Sequence, residues 1–194
     1  MNKLPLETRA KILGMMVEGL SLRSITRITG VSRTTTLKLM ADAGQAFAEY
    51  QDRTLRNLTC KRVQVDETWC FCYAKKANVK KAKAAPEGAG DVWTWIGIDA
   101  DTKLAVSWYI GDRDSDAAHE FIGDLASRLA NRIQLTSDGH GAYLQAVADT
   151  FQGEIDYAQL IKIYGHQPYE KGVDRRYGQP ECIGIKKRTV SGPT

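Results

Sequence analysis

Two acids stand side by side in a stretch that otherwise has the composition of a buried strand: Val63-Gln64-Val65-Asp66-Glu67-Thr68-Trp69-Cys70-Phe71-Cys72-Tyr73. β-branched and aromatic residues dominate it, and neither Gly nor Pro interrupts it. Burying an ionised carboxylate without a partner is costly, so residues with no task beyond folding would be apolar here. A third acid, Asp138, closes a second apolar run, Ile133-Gln134-Leu135-Thr136-Ser137, and is followed by Gly139. Carboxylates brought together repel, and a hard divalent cation relieves the repulsion. Mg2+ takes oxygen ligands and keeps waters, which suits a few carboxylates plus a substrate phosphate. Two such ions about 4 Å apart clamp the attacking and leaving oxygens of an in-line phosphoryl transfer. The expectation is a metal site, for Mg2+ or Mn2+, with Asp66 and Asp138 as ligands. Strand alternation places Asp66 with Gln64 and Thr68, and Glu67 with Val63, Val65 and Trp69. Asp66 is therefore the expected ligand, and Glu67 calls for a bulge or a basic partner. Asp-Gly is also an ordinary turn pair, a reading that accounts for Asp138 but not for Asp66.

The elements around these acids must bring them together. After the first strand, apolar runs at Asp91–Asp99 and Leu104–Ile110 flank the polar turn Ala100-Asp101-Thr102-Lys103, predicting an antiparallel meander. Asp116 to Asn131 has Ala118, Ile122, Leu125 and Leu129 on one face, predicting a helix. The strand ending at Asp138, a helix from Ala142 to Phe151 and an apolar run from Ile155 to Tyr164 follow. The order β-β-β-α-β-α-β is that of a mixed sheet covered by helices and matches the ribonuclease-H-like fold. In such a sheet the first and fourth strands are neighbours, which sets Asp66 beside Asp138. Trp93, Trp95, Trp108, Phe121 and Tyr143 read as core. The loop Ala74–Gly90 carries five lysines, suited to a DNA backbone or simply to solvent.

The first fifty residues have a different character. Residues 1–62 hold 11 Lys or Arg against 5 acids, whereas the remainder holds 16 against 18. A basic front on a slightly acidic body points to a polyanionic partner, against the alternative of a merely solvated basic face. Leu6–Glu18 reads as a helix ended by Gly19. Ser21 caps a short helix over Leu22–Thr29, Gly30-Val31 turns, and Ser32 caps a third helix from Arg33 to Met40. Residues 41–57 continue as helix and linker. Helix, Gly-containing turn and second helix form the helix-turn-helix pattern, whose second helix reads the major groove. Arg33, Thr34 and Thr35 are expected at bases or phosphates, and Arg23, Arg27 and Lys38 on the sugar-phosphate backbone. The alternative is a three-helix unit that never touches DNA.

Val65-Asp66-Glu67-Thr68-Trp69, Trp95-Ile96-Gly97-Ile98-Asp99-Ala100-Asp101-Thr102-Lys103 and Leu135-Thr136-Ser137-Asp138-Gly139-His140-Gly141-Ala142-Tyr143, behind the helix-turn-helix, resemble bacterial insertion-sequence transposases. The nearest match is the insertion-sequence-one type of the DDE transposase superfamily. The resemblance implies a DDE triad on a ribonuclease-H-like fold that holds Mg2+, cuts transposon-end DNA and joins its 3′-OH to target DNA. It implies Asp66 as first acid, Asp138 as second, double-stranded DNA as partner, and a homodimer that synapses two ends. The family's third acid, a Glu on a downstream Arg- and Asn-rich helix, has no counterpart here. Glu154 and Glu181 lie next to Gly153 and Pro180, and Glu170 stands two residues from both Pro168 and Gly172. The expectation is a C-terminally shortened copy with impaired strand transfer, or a non-catalytic DNA-binding regulator or inhibitor of transposition.

The implied organisation is α/β: a helix-turn-helix at 1–50, a linker at 51–62, an incomplete ribonuclease-H-like domain at 63–164 and a basic irregular tail at 165–194. Lys171, Arg175, Arg176 and Lys186-Lys187-Arg188 make the tail a further candidate for DNA contact. No apolar run approaches bilayer-spanning length and the N-terminus lacks a secretory h-region, so a cytoplasmic, nucleoid-associated protein is expected. Cys60, Cys70, Cys72 and Cys182 lack zinc-site spacing and read as buried, reduced thiols. His119 reads as incidental, His166 as part of an irregular loop, and His140 as a loop cap, with approach to a phosphate as the alternative.

Overall fold

A computed structural model describes residues 3–165 and 182–193. The chain divides into two compact units, residues 1–55 and 56–194. The first contains α1 (Leu6–Val17), α2 (Leu22–Thr29) and α3 (Arg33–Thr54). Ser21 and Ser32 cap α2 and α3 by accepting the backbone N–H groups of Ser24 and Thr35, each at 3.2 Å. Gly30 ends α2 at φ +70°, a left-handed conformation that glycine adopts without steric cost. Ile12, Ile25 and Thr36 are fully buried. Thr36 donates its hydroxyl to the Ser32 carbonyl at 3.0 Å, so this member of the Thr34-Thr35-Thr36 run is structural. α3 continues unbroken to Thr54, into the stretch expected as linker.

The second unit is built on a six-stranded mixed sheet, ordered β3-β2-β1-β4-β5-β6. Its strands are β1 (Arg62–Cys72), β2 (Gly90–Asp99), β3 (Ala105–Gly111), β4 (Gln134–Ser137), β5 (Asp156–Tyr164) and β6 (Cys182–Ser191). β1, β2 and β3 form an antiparallel meander, β4 and β5 run parallel to β1, and β6 returns antiparallel to β5. A short helix, α4 (Lys76–Val79), lies between β1 and β2, and α5 (Ser115–Arg128) and α6 (Ala142–Phe151) make the crossovers.

Alternation puts Val63 and Val65 of β1 and Leu135 of β4 in one core with Trp95, Val106 and Tyr157. Phe121, Ile122 and Leu125 of α5 and Tyr143, Ala146 and Val147 of α6 complete it. Gly97 lets α5 approach, because a Cβ there would stand 3.4 Å from Leu125 and 3.5 Å from Phe121. A half-buried polar knot joins α5 to β3: Asp124 accepts two hydrogen bonds from Arg128, each 2.8 Å, and one from the Ser107 hydroxyl.

Four expectations need correction. Residues 182–191 form a strand where an irregular tail was expected, because their backbone pairs with β5 and ladder hydrogen bonds do not require an apolar sequence. Trp108, expected in the core, is 42% exposed, since it points away from the face that α5 and α6 cover. Of the four thiols, all free, only Cys60 is buried. His119 is engaged, linking the Ser115 carbonyl of α5 (2.7 Å) to Asp149 of α6 (3.1 Å). His166, Glu170, Lys171, Arg175, Arg176 and Glu181 lie outside the described residues. Among the described residues no helix is long and apolar enough to cross a membrane.

Candidate metal centre

The parallel ladder between β1 and β4 aligns Arg62 with Gln134, Val63 with Leu135 and Gln64 with Thr136. Continued by two residues, that register sets position 66 beside position 138. The site lies where the pairing of the two parallel strands ends, the side on which open α/β sheets bind ligands. Asp66, Glu67 and Asp138 each offer a carboxylate oxygen there, and the three oxygens lie within 4.8 Å of one another. Two of them are the expected pair, and Glu67 is the addition.

Each acid is held differently. Asp66 is exposed and accepts the Glu67 backbone N–H at 2.9 Å. Asp138 turns back to accept the His140 N–H at 2.8 Å, a local turn that fixes its carboxylate at the strand end. Gly139 follows because Ile161 of β5 packs there; a Cβ would stand 3.1 Å from its Cγ1. The Glu67 side chain is only 1% exposed. Burial pushes its carboxyl up, the Asp138 and Asp66 charges add to that, Arg113 opposes them, and the net direction is up.

Arg113 is the basic partner that Glu67 required. Its Nε donates to Glu67 Oε1 at 3.0 Å, and its Nη2 stands 3.8 Å from Asp138 Oδ2. The guanidinium lies over the Trp93 ring, 4.9 Å from the centroid. The loop bearing it is pinned by Trp95, whose indole N–H donates to the Asp112 carbonyl at 3.1 Å. Nothing in the sequence around Arg113 marks it, since it is one arginine in a polar strand-to-helix connection.

His140 and Tyr143 close the buried side. The His140 ring stacks on Trp95 with centroids 5.8 Å apart, and Tyr143 meets Trp95 edge-on at 5.4 Å. Burial and the Arg113 charge push the His140 imidazole down against the pull of Asp138, so the ring is neutral near pH 7. Its Nδ1 accepts the Ala142 N–H at 3.5 Å, which leaves the proton on Nε2, 3.6 Å from Glu67 Oε1. Burial, then Glu67, Asp138 and Asp66, push the Tyr143 hydroxyl strongly up, so it stays protonated. His140 Nε2 and Tyr143 Oη are both buried without a hydrogen-bond partner.

These residues fit a hard divalent cation. All three donors are carboxylate oxygens, the set that Mg2+ and Mn2+ take. The Asp138 and Asp66 charges, which add to burial in raising the Glu67 carboxyl, are what a cation would relieve.

The expected DNA-contact residues lie in the first unit. Arg23, Arg27, Arg33, Thr34, Thr35 and Lys38 are all exposed on α2 and the first turns of α3. Arg27 donates to Ser24 at 3.1 Å, and the Thr35 hydroxyl shares a 2.9 Å hydrogen bond with Ser32. Arg23, Arg33, Thr34 and Lys38 thus offer the more available side-chain donors. Comparison with protein-family models and with curated proteins found no match to this chain.

Proposed function

We propose that this chain is a DNA-processing protein of the DDE transposase kind, with α2 and α3 as a DNA-reading helix-turn-helix and the six-stranded unit as a ribonuclease-H-like phosphoryl-transfer domain. The observation that carries this reading is the meeting of Asp66, Glu67 and Asp138 within 4.8 Å where the β1–β4 pairing ends. Mg2+ or Mn2+ held there would polarise a phosphodiester and generate the attacking oxygen nucleophile. Asp66 and Asp138 would be its outer ligands, open to solvent and to a DNA backbone, with Glu67 beneath them. Arg113 would hold the Glu67 carboxylate in place and, with its remaining N–H groups, face an incoming phosphate. Trp95, His140 and Tyr143 would close the buried side beneath the acids. Arg33, Thr34, Thr35, Arg23, Arg27 and Lys38 would position transposon-end DNA, and a homodimer would pair two ends.

The test is nicking of end-containing double-stranded DNA with Mg2+ or Mn2+, followed by joining of the released 3′-OH. Activity that disappears in Asp66→Asn and Asp138→Asn supports the proposal; nicking that survives both overturns it. Arg113 already pairs with Glu67 and offsets part of the charge crowding there, which favours a second reading in which the domain is a scaffold and the chain a DNA-binding regulator or inhibitor of transposition. Specific binding to ends with no nicking under any divalent cation selects that reading.

A further inference from the structure

β1 and β2 continue past the point where β4 leaves β1, with β3 still beside β2 as far as Trp93, opposite Trp69, and as a two-stranded ribbon over residues 70–72. β4 pairs with β1 only as far as Gln64, whereas β2 follows β1 to Cys72. Helix cover ends too, and the aromatic residues beyond it are exposed: Trp69 38%, Phe71 43% and Tyr73 59%. Trp69 and Phe71 share a strand face with Glu67, and their rings meet with centroids 5.7 Å apart. Trp69 lies directly opposite Trp93 in the antiparallel ladder.

Both indoles carry a cation. Arg113 lies 4.9 Å from the Trp93 ring centroid, and the Lys75 ammonium 4.9 Å from that of Trp69. Lys75 is kept near the ribbon because the backbone N–H of Lys76 donates to Asp91 at the start of β2, at 2.9 Å. Lys80, Lys81 and Lys83 follow, and residues 74–83 contain no acid. A strip of exposed rings with the Lys75 ammonium against it therefore starts one strand-face step from the acid cluster, and three more lysines follow it in the chain.

We propose that this strip binds the unpaired nucleotides flanking the phosphodiester that the acid cluster acts upon. It rests on the reading of that cluster as a DNA-processing centre. Bases would stack on Phe71 and, as the Lys75 ammonium moves from over the ring to a phosphate, on Trp69, with Lys80, Lys81 and Lys83 near enough along the chain to meet further phosphates. The physics favours this ligand: an aromatic ring accepts the π-face of any base, and the lysines supply the salt-dependent part of the affinity. A paired base has both faces covered by its neighbours in the stack, so the strip selects single-stranded DNA. Cys70 and Cys72 point to the opposite side of the ribbon and take no part.

The experiment uses the full chain in EDTA, so that binding is read without cleavage, with a fluorescein-labelled oligodeoxythymidylate and a blunt duplex of equal length as probes. Trp69→Ala and Phe71→Ala together should weaken single-strand binding about tenfold or more, the size of one or two stacking contacts. Duplex binding should stay within about twofold, because paired bases offer the rings no open face. Trp69→Phe keeps a ring and should retain most of the affinity, and Cys70→Ala should match wild type. The proposal is overturned if the double variant binds the oligonucleotide like wild type, or if duplex affinity falls in parallel. It is equally overturned if polyglutamate displaces the oligonucleotide as well as unlabelled oligodeoxythymidylate does, since the strip would then read charge alone. A wild-type chain that binds the strand but never nicks DNA speaks against the metal-dependent reading and leaves the strip standing. A chain that nicks DNA while the ring variants bind normally does the reverse.

Discussion

Removing Asp124 tests how the sheet unit is held together. Arg128 is 8% exposed at its side chain and Asp124 34%, so the pair lies between a surface and a buried ion pair. Surface pairs contribute about 0–1 kcal/mol, whereas breaking a buried pair from one side costs about 3–5 kcal/mol. Asp124→Ala leaves the more deeply buried partner, the guanidinium, without its carboxylate, and it also strips the Ser107 hydroxyl of its acceptor. A loss of about 3 kcal/mol is expected, which lowers the melting temperature by about 10 °C for a unit of this size. The assay is urea unfolding followed by tryptophan fluorescence. All four tryptophans lie beyond residue 55, so the signal reports the sheet unit alone. Asp124→Ala with Arg128→Met removes both charges and should recover much of the loss. The sign with pH follows from the carboxyl. Burial pulls it up, but the Arg128 and Ser107 hydrogen bonds outweigh burial and the net direction is down. Its contribution is therefore present above the ordinary carboxylate pKa and fades as pH falls through the lowered one. A single variant that loses under about 1 kcal/mol at pH 7, or a double variant no more stable than the single, would refute the reasoning.

Other outcomes follow from the same structure. The Ser115 carbonyl and Asp149 raise the His119 pKa, so Asp149→Asn should destabilise below about pH 6.5 and have little effect once pH exceeds the raised value; melting curves at pH 5.5 and 8.5 check it. Both side chains are over a third exposed, so solvent screening keeps the loss under about 1 kcal/mol. Gly30→Ala forces a Cβ onto a residue at φ +70° and should cost the three-helix unit about 1 kcal/mol, read as lost helical circular dichroism on heating. Gly97→Val adds bulk against Leu125 and Phe121 and should cost about 1–3 kcal/mol in the urea assay. If the acid cluster holds Mn2+, saturating it at about a hundred times the dissociation constant should stabilise wild type by about 2.7 kcal/mol, with much less effect in Asp66→Asn.

Local pattern was enough wherever the cause is local. Alternation along residues 63–72, the serine caps at positions 21 and 32, and the 3.6-residue period of α5 all act within a few residues, and the elements formed where those signals stand. The pairing of position 66 with 138 needed one topological step, the adjacency of the first and fourth strands, and alternation had also placed Glu67 on the apolar face. Only the folded chain decided what that face does to it. Arg113, 46 residues away, arrives from the connection between β3 and α5, His140 from the connection into α6 and Tyr143 from the first turn of α6. A residue's neighbours along the chain set its backbone, but the charge state and reach of a buried carboxylate are set by groups that only tertiary packing brings near. The strand at 182–191 was hidden for a related reason: its ladder is made by backbone groups that every sequence carries, so only the presence of β5 beside it, and no side-chain signal, decides that it is a strand.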